Sequence, residues 1–149
     1  MPSVVHEVNI RASPQNFYAV CSHNLSSLSN FCPNSIPYVD KFEGEWGEVG
    51  SKMSWSFAFE GYQLPHVVEL RALNRSNMSV TFVVRGGYLL ENYFNRFQFT
   101  IQAMQGVVRW TVQYEKRSED QVEGTIQSLV RETYMRSALR TPGMYLSGK

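Results

Sequence analysis

Three groups of residues in this chain have types and spacings that chemistry could use. The first is a glycine run, Gly44, Gly47 and Gly50 in "FEGEWGEVGSK", followed at once by Ser51 and Lys52. Glycine loops that end in lysine and a hydroxyl residue can cradle phosphate where a strand meets a helix N-terminus. The second is His66 with Tyr114. An imidazole and a phenol turned into one interior could exchange protons with a bound molecule. The third is the set Cys21, Cys32, His6, His23 and His66, whose thiolates and imidazoles are the usual zinc ligands.

The first and third groups fail on spacing. A phosphate loop reads Gly-Lys-Ser/Thr and opens a helix. Here the order is Gly50-Ser51-Lys52, and the next residues alternate, with Met53, Trp55, Phe57 and Phe59 on one side and Ser54, Ser56, Ala58 and Glu60 on the other. That period of two is a half-buried strand. The glycines therefore read as a tight strand-to-strand connection, where positive φ is needed. The cysteines belong to no Cys-x-x-Cys and the histidines are dispersed, so no metal site and no cofactor is expected.

Bulk properties narrow the classes further. The 149 residues suit one domain, 1–149, with a real core. A net charge of +1, with lysine and arginine scattered, does not suit a nucleic-acid binder. No apolar run reaches the roughly eighteen residues of a membrane span. The N-terminal "MPSVVHEVNI" lacks the basic and apolar regions of a signal peptide. The expected setting is cytoplasmic, with Cys21 and Cys32 as thiols and the sequons at Asn24, Asn74 and Asn77 without consequence.

The elements that would position His66 and Tyr114 follow from periodicity. Residues 3–11 alternate as a strand. Ser13-Pro14 is an N-cap followed by a proline at the first helical position, opening a short helix with Phe17, Tyr18, Val20 and Cys21 on its apolar side. Residues 25–31 read as a second short helix before Cys32-Pro33. Strands then run from Tyr38 to Lys116. After Gly61, one face carries His66, Val68, Leu70 and Ala72. A turn at Asn74–Asn77 leads to Met78, Val80, Phe82 and Val84, and Gly86-Gly87 breaks that strand. Phe97, Phe99, Ile101 and Ala103 follow, then a turn at Gln105-Gly106, then Val108, Trp110, Val112 and Tyr114. Successive alternating hairpins imply one antiparallel sheet with one wet face. After Lys116 the apolar spacing becomes helical, through Val122, Ile126, Leu129 and Val130. A long helix over about 119–140 must bury its stripe against the concave face of the sheet.

That face holds more aromatic surface than one helix can cover. Met53, Trp55, Phe57, Phe59, Phe82, Phe97, Phe99, Trp110 and Tyr114 all point to it by parity. A solvent-exposed patch of this size is unusual. The wall therefore either lines an internal cavity or is filled by the helices as ordinary core, and spacing alone leaves both open.

Three motifs carry a family resemblance that spans essentially the whole chain. "EGEWGEVGS" (Glu43–Ser51), "GYLLENYFNRFQFT" (Gly87–Thr100) and "VVRWTVQYEK" (Val107–Lys116) resemble the major-latex-protein branch of the birch-pollen-allergen family, of the pathogenesis-related class 10 type. The resemblance implies a START-like, helix-grip α+β fold. In it a seven-stranded antiparallel sheet wraps around a long C-terminal helix, with two short helices after the first strand. It also implies a cytosolic plant protein, a monomer or weak dimer, that binds small hydrophobic metabolites or hormones in an internal cavity and is often linked to defence. The ligand-contacting positions carried over are Trp55, Phe57, Phe59, His66, Val68, Leu70, Phe82, Phe97, Phe99, Trp110 and Tyr114. Two departures stand out. Arg85-Gly86-Gly87 replaces an acidic residue and glycine at the end of the fifth strand, and Thr141-Pro142-Gly143 interrupts the C-terminal helix.

The resemblance leaves function open between a carrier and an acid–base enzyme, because a few relatives cyclise or isomerise alkaloid intermediates. Lys52, Glu69, Arg71, Arg96 and Arg109 fall outward by parity, so the lysine and carboxylate used by condensing relatives are lacking. His66 follows Pro65 near a strand start, at the expected rim. A carrier with no catalytic residue is the preferred reading. A surface role, with the 85–95 connection docking a protein partner, is the third.

Overall fold

In this computed structural model, residues 3–9, 13–23, 39–59 and 62–118 are described. The expected helices at 25–31 and 119–140, the tail beyond 140, and Cys32 lie outside the described residues. The elements in chain order are β1 (Ser3–Asn9), α1 (Pro14–His23), β2 (Val39–Glu43), β3 (Lys52–Phe59), β4 (Tyr62–Asn74), β5 (Ser79–Gly87), α2 (Tyr88–Asn92), β6 (Phe94–Met104) and β7 (Val107–Lys116).

The strands form one seven-stranded sheet in the order β1-β7-β6-β5-β4-β3-β2, with every pairing antiparallel. The connections use the glycines where positive φ is required. Gly44, Gly47 and Gly50 have φ of 83°, 81° and 97° between β2 and β3, and Gly106 has 75° in the two-residue turn that pairs Met104 with Val107. The glycine run is thus a hairpin connection with no helix after it.

Local sequence explains α1. Ser13 Oγ accepts a hydrogen bond from the Asn16 N–H at 3.1 Å, and Pro14 occupies the first helical position, where no N–H is needed. Phe17 and Cys21, four apart, are buried as α1 lies against β5 and β6.

The concave face is dry and the other face wet. Along β7 the residues Val108, Trp110, Val112 and Tyr114 are all buried. On the wet face Gln98 Nε2 donates to Gln113 Oε1 at 2.7 Å, and the Thr81 and Thr100 hydroxyls lie 3.0 Å apart. Arg109 pairs with Glu7 at 2.7 Å, Arg85 with Glu69 at 2.8 Å, and Lys52 with Glu43 at 3.8 Å. The outward parity of Lys52, Glu69, Arg96 and Arg109 holds, and Arg71 is exposed as expected. Arg85 does not leave its strand end positively charged, because Glu69 on the neighbouring strand neutralises it.

Three irregularities in register correct the sequence reading. Between β4 and β5 the pairing passes from Leu70↔Phe82 to Ala72↔Thr81, so Arg71 is an extra residue. Ala72 turns out to solvent and Leu73 packs against the core instead. The second shift, between Val67↔Gly86 and Val68↔Val84, leaves Arg85 as the extra residue, and β5 runs unbroken through Gly87. The third, between Phe94 and Arg96, brings Phe94 to the dry side three residues before Phe97, and both are buried. The helix α2, directly after Gly87, replaces the expected loop.

Candidate functional site

The candidate site is the concave face of β3 to β7. Period two places one side chain of every pair on this face, and cross-strand pairing sets those side chains side by side. Phe82 is opposite Phe99, Phe97 opposite Tyr114, Leu70 opposite Phe82, and Trp55 opposite His66. Trp55, Val68, Leu70, Phe82, Phe97, Phe99, Trp110 and Tyr114 are all at most 1 % exposed, so none of this wall reaches solvent.

Two runs of ring contacts stand out among the described residues. Trp55 meets Phe82 and Phe99 edge-on, with centroids 5.2 Å and 5.4 Å apart. Phe99 stacks on Phe82 at 5.2 Å and on Trp110 at 5.8 Å. The second group is Phe94 with Phe97 at 5.0 Å and Tyr114 at 5.3 Å. Such contacts add roughly 0.5–1.5 kcal/mol per pair beyond area burial. They fix the rings as a rigid surface. Of the sequence-derived positions, Phe57 and Phe59 lie on β3, opposite Leu64 and Tyr62, but their side chains are outside the described residues. Phe94 and Leu89 belong to the same buried cluster and were missed. A bulge hides the parity of Phe94, and a five-residue helix carries Leu89.

One polar atom in this wall is conspicuous. The Trp110 Nε1–H is buried and has no hydrogen-bond partner among the described residues. Leaving such a donor unmet costs about 1–3 kcal/mol.

His66 is 2 % exposed, deeper than the expected rim position. Its Nε2 accepts a hydrogen bond from the Leu89 N–H at 3.4 Å, in the first turn of α2. Nε2 is therefore the unprotonated nitrogen, and a ring neutral in this arrangement carries its proton on Nδ1. The ring rests on Gly87, which has φ of 127°. His66 thus ties the end of β5 and the start of α2 to β4.

With this geometry in view, the similarities to known proteins become informative. A sequence model of the pathogenesis-related protein Bet v 1 family matches residues 1–135. The chain belongs to this family. It is 31% identical over 120 residues to MLP-like protein 43 of Arabidopsis thaliana, covering 76% of this chain and 75% of that one. It is also 31% identical to MLP-like protein 34 of the same plant, of which it spans only 38%. Major latex-like protein 151 from Panax ginseng superposes with a TM-score of 0.78 at 26% identity, over 88% of this chain and 93% of that one. Norcoclaurine synthase from Thalictrum flavum superposes with a TM-score of 0.72 at 15% identity, over 91% and 80%, and shows the shared fold alone. This Bet v 1 family member therefore has the α+β fold of its helix-grip neighbours, which is a ligand-binding fold. Among the described residues no helix is long and apolar enough to cross a membrane.

Proposed function

We propose that this Bet v 1 family member is an intracellular carrier that holds a small hydrophobic plant metabolite or hormone in an internal cavity, in a role connected with defence. The ligand would lie on the concave aromatic face, against the inward residues of β3 to β7. The observation that carries the reading is the buried, unmet Trp110 Nε1–H in a mostly apolar wall whose other polar groups are the Trp55 indole, the Tyr114 hydroxyl and His66. The indole adds buried area and the stack on Phe99, but its unmet donor offsets part of that gain unless an acceptor reaches it. A ligand bearing a carbonyl or hydroxyl oxygen would satisfy the donor while its hydrocarbon body contacts the rings. Sites of this kind combine apolar walls with few polar groups.

The acid–base alternative would have to run through His66. Its Nε2 is engaged by a backbone N–H, which gives the imidazole a structural task and takes one nitrogen from catalysis. Native mass spectrometry of the protein purified from its natural source tests the carrier reading. A small molecule of defined mass should leave with the protein. Ligand-free protein that also takes up no flavonoid or sterol probe in solution would overturn it.

A further inference from the structure

A second place on the molecule has the character of a binding site, and it lies on the outer side of α1. The face Gln15, Tyr18, Ala19, Ser22 repeats at i, i+3, i+4 and i+7, with Ser22 buried at its inner edge beside the stripe Pro14, Phe17, Cys21 that enters the core. Across from it stand Arg75 and Met78 of the turn between β4 and β5. With His23 at the helix end, these residues bound an open groove of about 380 Å³. That volume is within the usual range for small-molecule sites.

Several hydrogen bonds hold the turn in place. Met78 has φ of 54°, a conformation that disfavours any residue with a β-carbon, and it is the one non-glycine with positive φ among the described residues. Four hydrogen bonds fix it. The Asn77 N–H donates to Asn74 Oδ1 at 3.3 Å and Ser79 Oγ to Asn77 Oδ1 at 2.7 Å. Gln102 Nε2 donates to Asn77 O at 3.2 Å and the Ala103 N–H to Met78 O at 2.9 Å. Strained, over-determined backbone of this kind concentrates at functional sites. Here it aims the Met78 side chain toward α1.

The groove is chemically one-sided. Among the described residues its ionisable side chains are Tyr18, His23 and Arg75, and none of its described lining residues is a carboxylate. Neither the Arg75 guanidinium nor the Tyr18 hydroxyl makes a hydrogen bond or ion pair with any described residue, a state Arg75 shares with the exposed Arg71 and Arg96. Ser22 Oγ donates to Tyr18 O at 2.7 Å and lies 2.8 Å from His23 Nδ1, a contact whose direction follows the His23 tautomer. Between the polar ends lie the Tyr18 ring, the Ala19 methyl and the Met78 thioether, which suit an aromatic ring.

We infer that this groove is a second ligand site, separate from the concave face, for a small planar aromatic carboxylate whose acid group pairs with Arg75 and whose ring lies against Tyr18, Ala19 and Met78. Guanidinium and carboxylate match as a two-point contact, and the opposite rim offers the Gln15 amide.

Titration of the full chain with trans-cinnamate, followed by ¹H–¹⁵N correlation spectra, tests this. Saturable shifts are expected at the Ala19, Arg75 and Met78 amides. Uncharged trans-cinnamamide should bind the groove about three- to tenfold more weakly, as should cinnamate to the Arg75→Gln variant. Ala19→Trp should remove the groove shifts for both compounds and leave those of the strand amides intact. Shifts confined to Phe82, Phe99 and Trp110 would overturn the inference, since they report the concave face. So would no saturable shift, equal groove binding of acid and amide, or an Arg75→Gln variant that binds cinnamate unchanged.

Discussion

Gly87 supports the His66 imidazole so closely that a β-carbon added to it would lie 2.5 Å from His66 Cδ2. The same glycine has φ of 127°, which side chains rarely tolerate. Two independent reasons therefore require glycine at the point where β5 becomes α2. Gly87→Ala should lower the unfolding free energy by roughly 2–3 kcal/mol, the scale of one strained backbone residue plus a displaced ring. Urea denaturation measures it. A change below about 0.5 kcal/mol, the size of an ordinary surface effect, would mean that His66 is not held in this way.

His66 itself separates carrier from enzyme. Gln can still offer an acceptor to the Leu89 N–H but does not titrate near neutral pH. For a carrier, His66→Gln should keep the affinity for a flavonoid probe within a few-fold, because one neutral hydrogen bond is worth about 1 kcal/mol. Incubation of wild type with alkaloid or polyketide precursors should give no faster cyclisation or isomerisation. A rate enhancement that His66→Gln reduces on the order of a hundredfold would make acid–base catalysis the better account.

The start of α1 offers a check of the local physics alone. Ser13→Ala removes the acceptor for the Asn16 N–H and should cost about 1 kcal/mol, read from the same denaturation curves. Ser13→Asp should retain most of that stability. Equal loss in both variants would show that the cap hydrogen bond is not what Ser13 contributes.

Most of the sheet was legible because its strands alternate cleanly and its turns carry glycine. Phe97, Phe99, Trp110 and Tyr114 needed nothing more than parity to be placed on the dry face. Parity failed where an extra residue entered a strand. Arg71 reversed Ala72 and Leu73, and the irregularity between Phe94 and Arg96 brought Phe94 inward. No feature of a single strand announces such a residue, because a bulge is a property of the pairing between two strands. The helix at Tyr88–Asn92 is a little more than one turn, too short for a helical period to register, and the glycines before it read as a break. His66 looked like a rim residue because its burial depends on Gly87 and Leu89, both more than twenty positions away. The groove beside α1 escaped notice for the same reason, since it joins one helix face to a turn more than fifty residues later.

The central claim, that the concave aromatic face receives a ligand, is tested most directly at the Trp110 indole. Its N–H cross-peak can be assigned by its loss in Trp110→Phe and followed while naringenin, a flavonoid with carbonyl and hydroxyl oxygens, is added. The account predicts a saturable downfield shift of the indole proton as it acquires an acceptor. It also predicts that Trp110→Phe binds naringenin about five- to tenfold more weakly, beyond the roughly 1–2 kcal/mol of stability that the smaller ring costs the empty protein. An indole resonance unmoved at saturating naringenin, with Trp110→Phe binding as well as wild type, would contradict it.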